Sequence, residues 1–108
     1  MNDAEFNAQA DAVLARLEEA LEVAVNGGAE IDYELVPGGI LEVEFHDGSK
    51  VIVNRHRVAR EIWVAARSGG FHFHAVDGVW KDTRDSVELF TRLESLLTAQ
   101  AGQLVRLK

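Results

Sequence analysis

Residues 30–35 read Glu30-Ile31-Asp32-Tyr33-Glu34-Leu35, and this stretch decides the fold. Acidic and apolar side chains alternate with a period of two, which places Ile31, Tyr33 and Leu35 on one face of a strand and three carboxylates on the other. Strands with one apolar and one charged face belong to an antiparallel sheet covered on a single side. Pro37-Gly38-Gly39 turns the chain, and Leu41, Val43 and Phe45 then alternate with Glu42 and Glu44. Asp47-Gly48 signals a hairpin into Lys50-Val51-Ile52-Val53-Asn54. Beyond a basic connection at Arg55–Arg60, three more strands are expected at Glu61–Arg67, Phe71–Ala75 and Val79-Trp80-Lys81. Ser68-Gly69-Gly70 and Asp77-Gly78 are the turns between them.

On either side of this run the period changes. Phe6, Ala10, Val13, Leu14, Leu17, Leu21 and Ala24 recur at helical spacing over residues 3–25. Asn2 or Asp3 caps that helix, and Asn26-Gly27-Gly28 ends it. At the other end, Asp85-Ser86-Val87-Glu88 has the spacing of a capping box. Phe90, Leu93 and Leu97 continue as one helical face to about Ala99, with Gly102 just beyond. Helix, about six short strands, helix: the expected fold is an α+β two-layer sandwich, with both helices on one face of the antiparallel sheet. The 108 residues predict a single domain over 1–108.

Composition narrows the function. With no cysteine, disulfide frameworks, thiolate metal sites and a catalytic thiol are excluded. The N-terminus shows no basic region followed by an apolar run, and no apolar stretch approaches a membrane span, so a cytoplasmic protein is expected. The net charge is −7, but residues 1–47 alone hold twelve acids and one base, Arg16. So acidic a half disfavours nucleic acid and anionic membranes, and favours cations or a basic protein partner.

The carboxylates form the strongest candidate site. Asp11, Glu18 and Glu22 fall within about 40° on the first helix, with Glu19 at the rim of that face. If the first strand lies at the sheet edge beside this helix, Glu30, Asp32 and Glu34 join them in one acidic ridge. Carboxylate oxygens are hard ligands for hard cations. The competing reading is a solvated face that serves solubility. Ile62, Val64 and Ala66 fit the core, which sends Trp63 to the open sheet face as an interface anchor. The alternative buries it. His72 and His74 share a strand face, where two imidazoles could clamp a transition metal or simply meet water. No phosphate loop, zinc-protease or nucleophile-elbow motif is present, and no carboxylate stands in an apolar setting, so no enzyme is expected.

The chain resembles the frataxin family, most closely its bacterial branch. Met1-Asn2-Asp3 with Glu5-Phe6, Glu18-Glu19, and Ile31-Asp32 with Glu34 carry the match, followed by Gly48-Ser49-Lys50 with Val51–Arg55. Ile62-Trp63, Gly69-Gly70-Phe71-His72-Phe73, Trp80 and Gln100-Ala101-Gly102 complete it. The resemblance implies an iron-binding protein of iron–sulfur cluster assembly that binds Fe2+ or Fe3+ weakly at an exposed ridge, where other divalent cations compete. It further implies docking on the cysteine desulfurase and iron–sulfur scaffold complex, with a monomer that iron could drive into oligomers. Position by position, Asp3, Asp11, Glu18, Glu19, Glu22, Glu30, Asp32 and Glu34 match ridge positions, while Asn54, Trp63 and His72 match the sheet surface used for partners, joined in docking by Glu18, Glu19 and Glu22. The chain departs from the family pattern at His56 and Glu61, where glutamines are common, at Val58, where a proline is, and in lacking extra acids over residues 23–29. Two other readings compete: a ferroxidase that detoxifies iron, which would need a di-iron Glu-x-x-His pair that the sequence lacks, and an acidic adaptor without a metal role.

Overall fold

In the computed structural model, which describes residues 1–107, the elements are helix α1 (Asp3–Asn26), strands β1 (Ile31–Val36), β2 (Ile40–Phe45), β3 (Lys50–His56), β4 (Glu61–Ala66), β5 (Gly69–Val76) and β6 (Val79–Asp82), and helix α2 (Leu89–Ala101). The six strands form one antiparallel sheet in sequential order, so β1 and β6 are its edges. Short turns between strands leave little other choice. The expected two-layer α+β sandwich is the observed one.

Asn2 caps α1 by accepting the Glu5 N–H at 2.8 Å, and Asp3 and Glu5 place negative charge on the positive end of its dipole. The stripe from Phe6 to Leu21 is buried against the inner sheet face, which Leu41, Val43, Val53, Ile62, Val64 and Phe73 supply. Helix α2 covers the rest with Leu89, Phe90, Leu93 and Leu97. Each such side chain is worth about 1.5–3 kcal/mol of burial, enough for this core to hold without cross-links. Phe6 meets Trp80 edge to face at 6.2 Å, linking α1 to β6. Past α2, Val105 and Leu107 are buried, while Leu104 just before them is exposed.

The structure differs from the sequence expectation in three places. Strand β3 runs two residues further, through Arg55 and His56, because the period of two simply continues: Arg55 pairs with Ile62 and turns inward, and His56 pairs with Glu61 and turns outward. The β4–β5 turn is Arg67-Ser68, and Gly69 and Gly70 open β5, paired with Ala66 and Ala65. Gly69 has φ 142°, a backbone conformation that side chains resist, so this glycine starts a strand instead of making the turn. Helix α2 begins at Leu89. Its cap is Glu88, whose carboxylate accepts from the N–H groups of Phe90 and Thr91, while Asp85 caps only a local turn at the Val87 N–H. The helix cannot start earlier because residues 87 and 88 run back along β6, where Asp82 N–H donates to Val87 C=O and Lys81 bridges to Glu88.

Candidate functional site

Strand β1 lies at the sheet edge beside α1, as the ridge requires. Its alternation sends Tyr33 toward the helix, where the Tyr33 hydroxyl donates to Glu22. Glu22 and the nearby Glu18 together hold the phenol in its neutral form, pushing its pKa up to about 12; the hydrogen bond to Glu22 is the main cause. On the opposite side of the same strand, the register sets Asp32 against Glu44 and Glu34 against Glu42. Carboxylates opposite one another across a strand pair repel, so this face gains from any bound cation. Lys50 supplies one: its ammonium is 3.1 Å from Glu42, and Glu42, with Glu44 and Glu34, raises its pKa. Asp32, Glu34, Glu42, Glu44 and Lys50 line a shallow depression of about 300 Å³, with a net charge of −3.

Not all of the eight acids named from sequence gather here. Asp3 is paired with Arg60 at 2.8 Å, and Asp11 with Arg55, whose side chain is mostly buried. These arginines lie 57 and 44 residues along the chain and already neutralise the N-terminal part of the ridge. Glu19 faces away from β1, lining a groove with Arg16, Val23, Phe90 and Arg106. Glu30 is exposed at the entry to β1, where its N–H donates to Gln103 Oε1 at 2.7 Å. Glu18, Glu22, Asp32 and Glu34 remain as the ridge proper. Glu42 and Glu44 join them, a role sequence reading missed by treating β2 alone. The signal was present in the Asp47-Gly48 and Pro37-Gly38-Gly39 turns, which fix the pairing that brings β1 and β2 acids face to face.

The second group sits on the open face further across the sheet. Asn54, Trp63 and His72 are neighbours there in consecutive strands, as their registers Asn54↔Trp63 and Trp63↔His72 require. Ile62 and Val64 are buried on the other side, so Trp63 faces outward as expected. It is half-buried, stacked between His56 at 3.8 Å and His72 at 4.4 Å between ring centroids. Its indole N–H donates to Glu61 Oε1 at 2.8 Å. His56 and Glu61, with no role at the sequence level, are therefore part of this surface. His74 points the same way as His72 but lies across from Lys81, and no third ligand joins the two among the described residues.

Chemically, the β1 edge offers hard oxygen donors in water from both sides of one strand. Among the described residues, no three His, Asp or Glu side chains converge into a ready-made cage. A cation held at such an edge keeps much of its water shell. Among the same residues, no helix is long and apolar enough to cross a membrane.

Comparison with known proteins agrees with the fold. A family model described as a frataxin-like domain matches residues 1–103. The chain is 54% identical, over the full length of both proteins, to the iron-sulfur cluster assembly protein CyaY of Dechloromonas aromatica (strain RCB). Among solved structures it is similar to frataxin from Psychromonas ingrahamii, with 31% identity, a TM-score of 0.89, and 100% and 99% of the two chains covered. It also shares its fold with a trimeric frataxin from the yeast Saccharomyces cerevisiae, complexed with ferrous iron, at a TM-score of 0.76 and 24% identity, covering 88% and 87% of the chains.

Proposed function

Because the chain belongs to the frataxin-like family, we propose that it serves iron–sulfur cluster assembly as a binding and regulatory protein and not as an enzyme. Iron, ferrous or ferric, is its cargo. It is taken weakly at the β1 edge by Glu18 and Glu22 on one side and Asp32, Glu34, Glu42 and Glu44 on the other, with calcium or manganese able to compete. The same acidic edge docks on a basic surface of the cysteine desulfurase and scaffold complex, with Asn54, Trp63 and His72 in contact with the partner. One observation carries the reading: the cross-strand carboxylate pairs of β1 and β2 leave an exposed edge that stays net negative even with Lys50 in it, and an outward tryptophan stands two strands further across the same sheet. The name of the Dechloromonas relative supports the pathway.

Calorimetric titration of the protein into the host's cysteine desulfurase tests it. Binding at low salt should weaken when salt is raised, since screening shortens the reach of surface charge from about 30 Å at 0.01 M to about 10 Å at 0.1 M. Glu18→Lys with Glu22→Lys should weaken it at least tenfold, about 1.4 kcal/mol. Binding that ignores both salt and charge reversal contradicts the proposal.

A further inference from the structure

The stack on the open face does more than present a tryptophan. The ring planes of His56 and His72 lie within 13° and 10° of the indole plane, so both faces of Trp63 are covered by imidazole and closed to a stacking ligand. The rings come from β3, β4 and β5, and the sheet's own hydrogen bonds hold the three in line. Glu61 completes the group. It lies directly opposite His56, its Oε1 accepts the indole N–H, and that same oxygen is 3.8 Å from His72 Nδ1. Imidazole changes its charge between about pH 5 and pH 8, the range in which cells work.

We infer that His56, Glu61 and His72 make the Trp63 surface a proton-responsive docking face, suited to a basic partner surface when both imidazoles are neutral. The inference rests on the docking function proposed above and adds the condition that sets it. With both rings neutral the group carries −1, from Glu61; with both protonated it carries +1. The other charged or titratable groups on the strands that carry the stack and on the β3–β4 turn are Lys50 and Arg55 on β3, paired with Glu42 and Asp11; Arg57 and Arg60 in the turn, the latter paired with Asp3; and His74 on β5. Neighbouring β6 adds Lys81 and the buried Asp82. Glu61 is the carboxylate that touches the stack, and protonation of both rings takes the group it forms with them from −1 to +1. A basic partner is therefore held less well below the transition than above it.

The proton also has a mechanical reading. Ala59 N–H donates to His56 Nδ1 at 3.2 Å, so the neutral ring carries its hydrogen on Nε2. A second proton can go only to Nδ1, where it displaces this bond and leaves the Ala59 N–H to water. The β3–β4 turn therefore loses one of its ties at the same step that recharges the docking face.

Two measurements on the full chain test this. In an NMR titration from about pH 8 to about pH 5.5, the Ala59 amide should shift together with the His56 ring signals, and in His56→Gln it should stay still. Affinity for the cysteine desulfurase should fall at least about threefold from pH 8 to pH 6, and that slope should flatten in the His56→Gln, His72→Gln double variant. An Ala59 amide that ignores the His56 titration, or a pH slope unchanged in the double variant, overturns the inference alone. No binding by the wild-type chain at any pH overturns the docking function, and this inference with it.

Discussion

The Tyr33 hydroxyl donates a hydrogen bond to Glu22, tying edge strand β1 to helix α1 in the middle of the acidic edge. This one contact decides how the ridge is put together. It fixes a carboxylate from the helix against the strand whose outer face carries Asp32 and Glu34, so acids from both elements share one edge.

That bond predicts an alkaline transition. Tyr33 is the chain's single tyrosine, and its pKa is pushed up to about 12, above the ordinary value of 10. A phenol whose folded pKa exceeds its unfolded one stabilises the fold fully below pH 10, and that contribution disappears as pH rises through about 12. Phenolate absorbance should therefore titrate near 12 in the folded chain and move back toward 10 in Glu22→Gln, with circular dichroism as the check on folding. A wild-type midpoint at 10 would mean that the contact does not form in solution.

A second prediction concerns Gly39, in the β1–β2 turn, at φ 76°. A Cβ there would stand 2.6 Å from Arg55 Nε, and Arg55 is the residue that holds Asp11. Gly39→Ala combines left-handed backbone strain with displacement of the guanidinium, and should cost about 1–3 kcal/mol in denaturant unfolding. It should also release Asp11. A Gly38→Ala control has the same kind of backbone, at φ 97°, but open space around its Cβ, so it should cost less.

These two contacts show what could and could not be read from the sequence. The alternation in residues 30–54 carried the sheet and its single wet face, because period and turn chemistry are local; the edge position of β1 was only a condition there, and the strand order supplies it. The outward Trp63 followed from Ile62 and Val64 for the same reason. Ion pairs closed by tertiary structure were out of reach: nothing near Asp3 or Asp11 announces Arg60 or Arg55. Pairing between strands was legible in principle, yet Glu42 and Glu44 joined the site only once β1 and β2 were laid side by side. The start of α2 was misplaced because Asp85 has the right chemistry for a cap. Backbone pairing of residues 87 and 88 with β6 overrides it.

The two tryptophans should separate in mutagenesis. Trp63 is half-buried and stacked on two imidazoles, so Trp63→Ala should cost about 1–2 kcal/mol of stability, the value of its ring contacts. Trp80 is buried against Phe6, and Trp80→Ala should cost about 3–5 kcal/mol through the cavity it leaves. Desulfurase affinity should fall in Trp63→Ala well beyond the change in stability. Equal stability losses at the two positions would place Trp63 in the core.

The most direct measurement is to titrate ferrous iron into isotopically labelled protein and follow which amide signals its unpaired electrons broaden. The account predicts early loss around Glu18 and Glu22 of α1 and around Asp32, Glu34, Glu42 and Glu44 of the β1–β2 pair. Asp3 and Asp11, held by arginines, should be spared at low iron. Broadening centred on His72 and His74, or spread evenly over all surface acids, would contradict it.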